Sequence, residues 1–231
     1  TGRKGVEYNF RTACEVADAL AARLGLDPAA RTTLATSFER WNGRGVPNGI
    51  AGTSIPRAMR IAQLAQEFDV LARLEGVTSA LEIIRARRGR AYDPELTDLL
   101  LDGGAGWWAA LAHADPWDAA LHTAPPVAPL DEHAVRDALL VIADFADLKS
   151  PWTNGHSREV AALACAACGP MGEAAALVHD LGRVAVPNTI WDKPGPLTRD
   201  ERDRAETVPL ITEQLLRRVP LTAELSPTAA A

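Results

Sequence analysis

Aromatic side chains, cysteine and positive charge are all scarce in this chain of 231 residues. Aromatics make up 5%, there are three cysteines, and the formal net charge is −6. Cys14, Cys165 and Cys168 do not make a disulfide framework, and they suit a reducing cytoplasm. The acidic balance argues against a broad nucleic-acid surface, which needs a positive field, so no direct nucleic-acid contact is expected. No uncharged apolar run reaches the roughly 18 residues of a membrane span. The longest candidate, Val160 to Gly172, is too short, and no N-terminal signal segment is visible, so no membrane partner is expected. The sequence also lacks a P-loop, a glycine-rich nucleotide turn after a strand, GxSxG and HExxH.

What is abundant is helix-forming residues. Apolar residues reach 47%, with Ala and Leu dominant, which points to an all-α fold. The length allows one large or two small domains. Residues 8–24 set Ala13, Val16, Ala17, Leu20 and Leu24 on one stripe. Asp27-Pro28 should cap a helix of about 28–38, and Pro56 one of about 57–73. Between them, residues 39–56 read as a loop, with Asn48-Gly49 as a turn. A helix of about 78–88 follows, and Arg85 to Arg90 reads as its basic C-terminal end rather than as a phosphate patch. Asp93-Pro94 should cap a short helix ending near Leu101, with Gly103-Gly104 breaking the chain.

Short helices are expected around Trp107-Trp108 and Trp117. These tryptophans read as core or interface anchors, and such exposed Trp and Leu faces are expected to support a homodimer. The proline-rich stretch from His122 to Leu130 is the best linker, giving units 1–124 and 125–231. Helices of about 131–147, 154–168 and 173–182 come next, then a capping box at Thr198-Arg199-Asp200-Glu201 opening a helix of about 199–218. The only hint of a strand is Val184-Ala185-Val186.

The chemistry-bearing residues gather in the second half. His179 and Asp180 offer an imidazole and a carboxylate, donors that suit a hard or borderline divalent metal. Neighbours on a helix diverge by about 100°, so other ligands must arrive from elsewhere, and antiparallel packing could bring His156 close. Two histidines and an aspartate make a partial shell with open positions, able to activate water against a phosphate ester. A lone His-Asp dipeptide is more often incidental. Cys165-Ala166-Ala167-Cys168 reads as packed helical thiols, since no βαβ context or further zinc ligands accompany it. His113, His122 and His133 read as surface residues.

The flanking residues change the weighting of the dipeptide. His179-Asp180-Leu181-Gly182-Arg183-Val184-Ala185-Val186-Pro187, followed by Lys193-Pro194-Gly195-Pro196-Leu197-Thr198, resembles the HD-GYP family of HD-superfamily metal-dependent phosphohydrolases, many of which hydrolyse cyclic di-GMP. Gly155-His156-Ser157-Arg158-Glu159-Val160 resembles that family's first ligand helix. The first half resembles the family's later portion, at Phe38-Glu39-Arg40-Trp41-Asn42-Gly43-Arg44-Gly45-Val46-Pro47-Asn48-Gly49 and at Ala91-Tyr92-Asp93-Pro94-Glu95-Leu96. The resemblance implies HD-type helical bundles in two tandem units, the first degenerate and the second cut short. Tandem arrangements of this kind resemble parts of bacterial regulators with a LuxR-type DNA-binding domain.

The resemblance also implies roles. His156, His179 and Asp180 would hold iron, manganese or zinc, and Arg183, in place of the usual lysine, would steady a phosphate. The ligand would be a cyclic dinucleotide or another nucleotide. The departures count against full activity. Thr12, Ser37, Phe38 and Gln66 stand at ligand positions of the first unit, Val46 replaces the motif tyrosine, and Val208-Pro209 stands where the family has His-Pro. Trp152 stands where some members have a ligand glutamate, and the sequence stops at Ala231 before the family's paired histidines and final aspartate would appear. The balance leans to a regulatory pseudo-enzyme that binds a nucleotide or partner, the alternative being an active phosphohydrolase.

Overall fold

Aspartate and proline open the helices where the sequence places them. In the computed structural model, residues 2–111, 113–124 and 129–229 are described. The Asp27 side chain accepts from Ala30 N at the start of α2 (Pro28–Leu34), which follows α1 (Gly2–Arg23). α3 (Arg57–Glu75) and α4 (Val77–Ala86) are separated by Gly76 at φ 82°, left-handed backbone that favours glycine. α5 spans Pro94–Leu111, and Asp115 caps α6 (Pro116–Thr123). Asp131 caps α7 (Glu132–Asp147), which packs on α8 (His156–Val178). Then come α9 (Asn188–Trp191), α10 (Arg199–Ala205), α11 (Val208–Leu216), α12 (Pro220–Ala223) and α13 (Ser226–Ala229). The described residues contain no strand, only one isolated bridge between Arg88 and Tyr92.

The chain divides into two compact units, Thr1–Ala128 and Pro129–Ala231. Residues 125–128 of the expected linker lie outside the described residues. The first unit is cored by Leu64, Phe68, Ala80, Ile84, Leu96 and Leu100, with Trp108 packed edge-on against Phe68. The second is cored by Leu139, Ala143, Ala161, Leu177, Val178 and Leu216. Leu177 and Val178 are almost wholly buried. At roughly 1.5–3 kcal/mol each, they clamp the chain immediately before His179.

Several expectations are corrected. Gly103-Gly104 does not break the chain, because α5 runs through both. A Cβ on Gly103 would sit 2.6 Å from the Trp107 ring, and one on Gly104 would sit 2.9 Å from Leu100, so the two glycines make room rather than a turn. Among the described side chains of α1 the buried ones are Cys14 and Ala21, while Ala13 and the following Leu24 face solvent. The expected helix of 199–218 is two helices, with Pro209 in the first turn of the second, where a missing N–H costs nothing. Val184-Ala185-Val186 is no strand: Leu181–Ala185 is a 3-10 turn. Trp107 and Trp117 stay half exposed, and so is Cys168 exposed rather than packed. His113, His122 and His133 are exposed. One described stretch, 151–185, is long and apolar enough to cross a membrane by length and composition. Its Ala161 and Ala175 to Val178 pack into the core of the second unit.

Candidate metal centre

The site is built by a reversal inside α8. A straight helix from His156 to Val178 would hold its ends about 33 Å apart. Yet the His156 and His179 rings lie 5.4 Å apart, centroid to centroid. The chain turns at Gly169, whose φ of 73° and ψ of −163° are not helical, and Pro170 follows. The two halves therefore run antiparallel, as the sequence leads one to expect. The return is tight: a Cβ on Gly172 would meet the Ala164 carbonyl oxygen at 2.9 Å.

The His-Asp pair lies just past the helix rather than within it. His179 is the C-cap of α8, and Asp180 leads into the 3-10 turn. Leaving the helix frees Asp180 from the divergence that adjacent helical residues suffer. Its Oδ2 lies 3.6 Å from His156 Nε2 and 3.6 Å from His179 Nε2. All three donor atoms lie within 4.8 Å of one another. Metal–ligand bonds of about 2.0–2.2 Å imply donor pairs roughly 3–3.5 Å apart, so the cluster needs little adjustment to share one cation. His179 Nδ1 is 2.7 Å from the Ala176 carbonyl oxygen. A carbonyl only accepts, so Nδ1 carries the proton and Nε2 presents its lone pair to Asp180 and His156. The donor set fits a divalent metal with open positions.

Arg183 completes the group. Its Nη1 donates to Asp180 Oδ2 at 2.6 Å, and its guanidinium carbon lies 4.6 Å from the centre of the Trp191 ring. The indole Nε1 in turn donates to the Arg183 carbonyl oxygen at 3.2 Å. The guanidinium is thus held flat, with further N–H groups available to a phosphate. All four residues singled out in the sequence, His156, His179, Asp180 and Arg183, come together.

The supports were not foreseen. Asp147, buried at the end of α7, accepts from Ser157 N at 3.0 Å and Ser157 Oγ at 2.7 Å. It anchors the first turn of α8, and so fixes His156. Thr212, fully buried on α11, accepts from Gly182 N at 2.9 Å and donates to the His179 carbonyl oxygen at 3.1 Å. One hydroxyl pins both sides of the His-Asp turn. Gly182 permits the approach, since a Cβ there would lie 2.2 Å from the Val208 carbonyl oxygen. Val208 itself is buried among Val186 and Ile190. Trp152 lies on a neighbouring 3-10 turn and is 85% exposed.

The all-α fold matches that of HD-domain phosphodiesterases. Residues 13–96 match the family model described as HD domain. Over 91% of its length the chain is 31% identical to the 3'3'-cGAMP-specific phosphodiesterase 3 of Vibrio cholerae. A 73-residue stretch, 29% of the chain, is 38% identical to the cyclic di-GMP phosphodiesterase response regulator RpfG of Xanthomonas campestris. The solved structure of a cyclic GMP-AMP specific phosphodiesterase of V. cholerae superposes with a TM-score of 0.73 at 29% identity, covering 97% of this chain and 62% of that one. The chain spans 48% of the first relative and 19% of the second.

Proposed function

We propose that the chain carries a metal-dependent phosphohydrolase centre in its second unit, acting on a cyclic dinucleotide. One observation carries this reading: His156 Nε2, His179 Nε2 and an Asp180 oxygen converge within 4.8 Å, with His179 already fixed in the ligating tautomer by Ala176. His156, His179 and Asp180 would hold iron, manganese or zinc. When bound there, the ion supplies Lewis-acid activation for phosphoester hydrolysis. Asp180 keeps its carboxylate oriented through Arg183. The remaining N–H groups of Arg183 receive the phosphate, and the Trp191 face keeps the guanidinium from swinging away.

The sequence balance leaned towards a pseudo-enzyme. The relatives named as phosphodiesterases favour the hydrolytic reading instead. In the same reading the first unit, 1–124, is a degenerate copy, and the second, 125–231, bears the metal pair.

Elemental analysis of the purified chain beside a His179→Ala, Asp180→Ala variant tests the proposal. Stoichiometric iron, manganese or zinc should be present in the parent and absent in the variant, and the loaded parent should cleave 3'3'-cGAMP or cyclic di-GMP. A folded parent that takes up no metal would sink the reading.

A further inference from the structure

Cys165 and Cys168 stand in the last turn of the first half of α8, just before the Gly169-Pro170 reversal. The metal centre uses neither thiol. Cysteine is among the most often buried side chains, and Cys14 follows that rule. Cys165 is only half-buried and Cys168 is exposed. Packing therefore accounts for Cys14 but not for this pair, two of the three cysteines in the chain.

The geometry lets the two thiols meet. Gly169 is where α8 departs from helical backbone, so Cys165 and Cys168 still lie on a helix, at positions i and i+3. That spacing sets their Cα atoms about 5 Å apart, inside the roughly 4.4–6.8 Å that a disulfide spans. Their side chains share a face, with Cβ atoms about 5–6 Å apart, whereas a disulfide needs roughly 3.5–4.5 Å. The turn must therefore tighten by about 1–2 Å. A helix end does this readily, because a last turn converts to 3-10 geometry, in which residues i and i+3 eclipse. Here the chain leaves the helix at the very next residue. The returning half also leaves space beside Cys168. A Cβ on Gly172 would stand 2.7 Å from the Cys168 Cβ, so any larger residue there would take the room the thiol turns in.

We infer that Cys165 and Cys168 form a reversible dithiol–disulfide site that exchanges with low-molecular-weight disulfides. Cys168, the exposed thiol, attacks first as its thiolate. Its sulfur bonds to one sulfur of the small disulfide, whose S–S bond breaks, and the other half leaves as a thiolate. Cys165 then attacks the Cys168 sulfur of the mixed disulfide. The Cys165–Cys168 bond forms and the second small thiol leaves. The pair loses two protons and two electrons, and the small disulfide gains both to become two thiols. Tightening the turn strains the new bond, and strained disulfides are the readily reduced ones, so excess small thiol reverses the exchange. Cys14 takes no part, since its burial, and then Glu39 and Glu15, push its thiol up. About 18 Å of helix separates the pair from His156, so this site stands or falls independently of the proposed hydrolytic centre.

Oxidised glutathione is the probe. The full chain, first reduced with dithiothreitol and freed of it, is incubated with oxidised glutathione at neutral pH. It is then unfolded in excess N-ethylmaleimide, digested with trypsin and analysed by mass. The peptide running from Glu159 to Arg183 should be lighter by two hydrogens, with both its cysteines blocked to alkylation. Cys14 should be alkylated in full, and fresh dithiothreitol should return the pair to free thiols. Cys165→Ser should stop at a glutathione adduct on Cys168. Cys168→Ser should react roughly tenfold more slowly or less still, because the half-buried thiol must then attack alone. Both serine variants should keep the parent's helical circular dichroism. A parent that stops at the glutathione adduct, with Cys165 free, would overturn the pairing. So would disulfides that join either cysteine to Cys14 or to a second chain, or no reaction by a folded parent.

Discussion

The two units hold their loops by the same device and arm them differently. In the second, the Thr212 hydroxyl bonds to both sides of the His-Asp turn. In the first, the Glu39 carboxylate bonds two successive backbone N–H groups of the 39–49 loop. Each anchor is buried, and each works beside a glycine, Gly182 or Gly45, into whose missing side chain another backbone fits. Past the anchor the chemistry parts. One loop presents imidazole and carboxylate, the donors of a cation site. The other presents guanidinium and phenyl groups. Loop position and loop chemistry are thus set by different residues, and each can be broken alone.

The largest expected effect comes from filling the space at the second anchor. A Cβ on Gly182 would stand 2.2 Å from a backbone oxygen and 2.9 Å from Thr212 Oγ1, neither of which is a flexible tip. Gly182→Ala should therefore cost about 3 kcal/mol, the upper end of overpacking penalties, and abolish metal uptake. Urea unfolding of the variant checks the first point and elemental analysis the second. Metal content equal to the parent's would show that the turn does not depend on this contact.

Removing the support of His156 should cost less. Asp147→Ala strips two acceptors from Ser157 and leaves a buried N–H unsatisfied, a loss of about 2 kcal/mol. The parent's metal stoichiometry should return only at higher metal concentration, because His179 and Asp180 remain in place. Asp147→Asn keeps one acceptor and should recover most of the affinity. If Asn and Ala behave alike, Asp147 stabilises α7 and α8 without positioning the ligand.

These supports mark the limit of what the sequence could tell. The helix starts were legible because aspartate, threonine and proline act on their own neighbours, as at Asp27 and Thr198. The metal donors were legible by residue type, and the meeting of His156 with His179 was legible as antiparallel packing of two periodic segments, though the Gly169-Pro170 turn that makes it was not. Asp147 and Thr212 were not legible. Their partners lie 10 and 30 residues away in the chain, and an aspartate or threonine on an Ala/Leu-rich helix looks the same whether it faces water or a backbone N–H. The glycines misled for a related reason. Gly103 and Gly104 look like a breaker, whereas the Trp107 ring and Leu100 fill the space that side chains there would need, and only packing shows it.

Thr212→Val is a gentler probe of the second anchor. It keeps the volume and removes the hydroxyl, leaving Gly182 N without its acceptor. The expected cost is about 1–2 kcal/mol, with metal affinity about tenfold weaker, the scale of other outer-sphere losses. Thr212→Ser should restore both. A Val variant that is destabilised yet binds metal normally would mean that the hydroxyl secures the fold but not the ligand geometry.

The smallest expected effect is one of pH, at the capping box that opens α10. The Lys193 ammonium beside Glu201, and then the Thr198 backbone N–H, hold the Glu201 carboxyl below its ordinary value. A folded pKa lower than the unfolded one means that the stabilisation is fully present above the ordinary carboxylate range. It is lost as pH falls through the folded value. The parent and Glu201→Gln should therefore differ in unfolding midpoint at neutral pH and converge on acidification, the difference shrinking with added salt because the pair faces solvent. No gap at any pH would assign the cap to the Thr198 hydroxyl alone, which contributes equally to both proteins. The loop between Lys193 and Thr198 would then owe its shape to Pro194 and Pro196 rather than to charge.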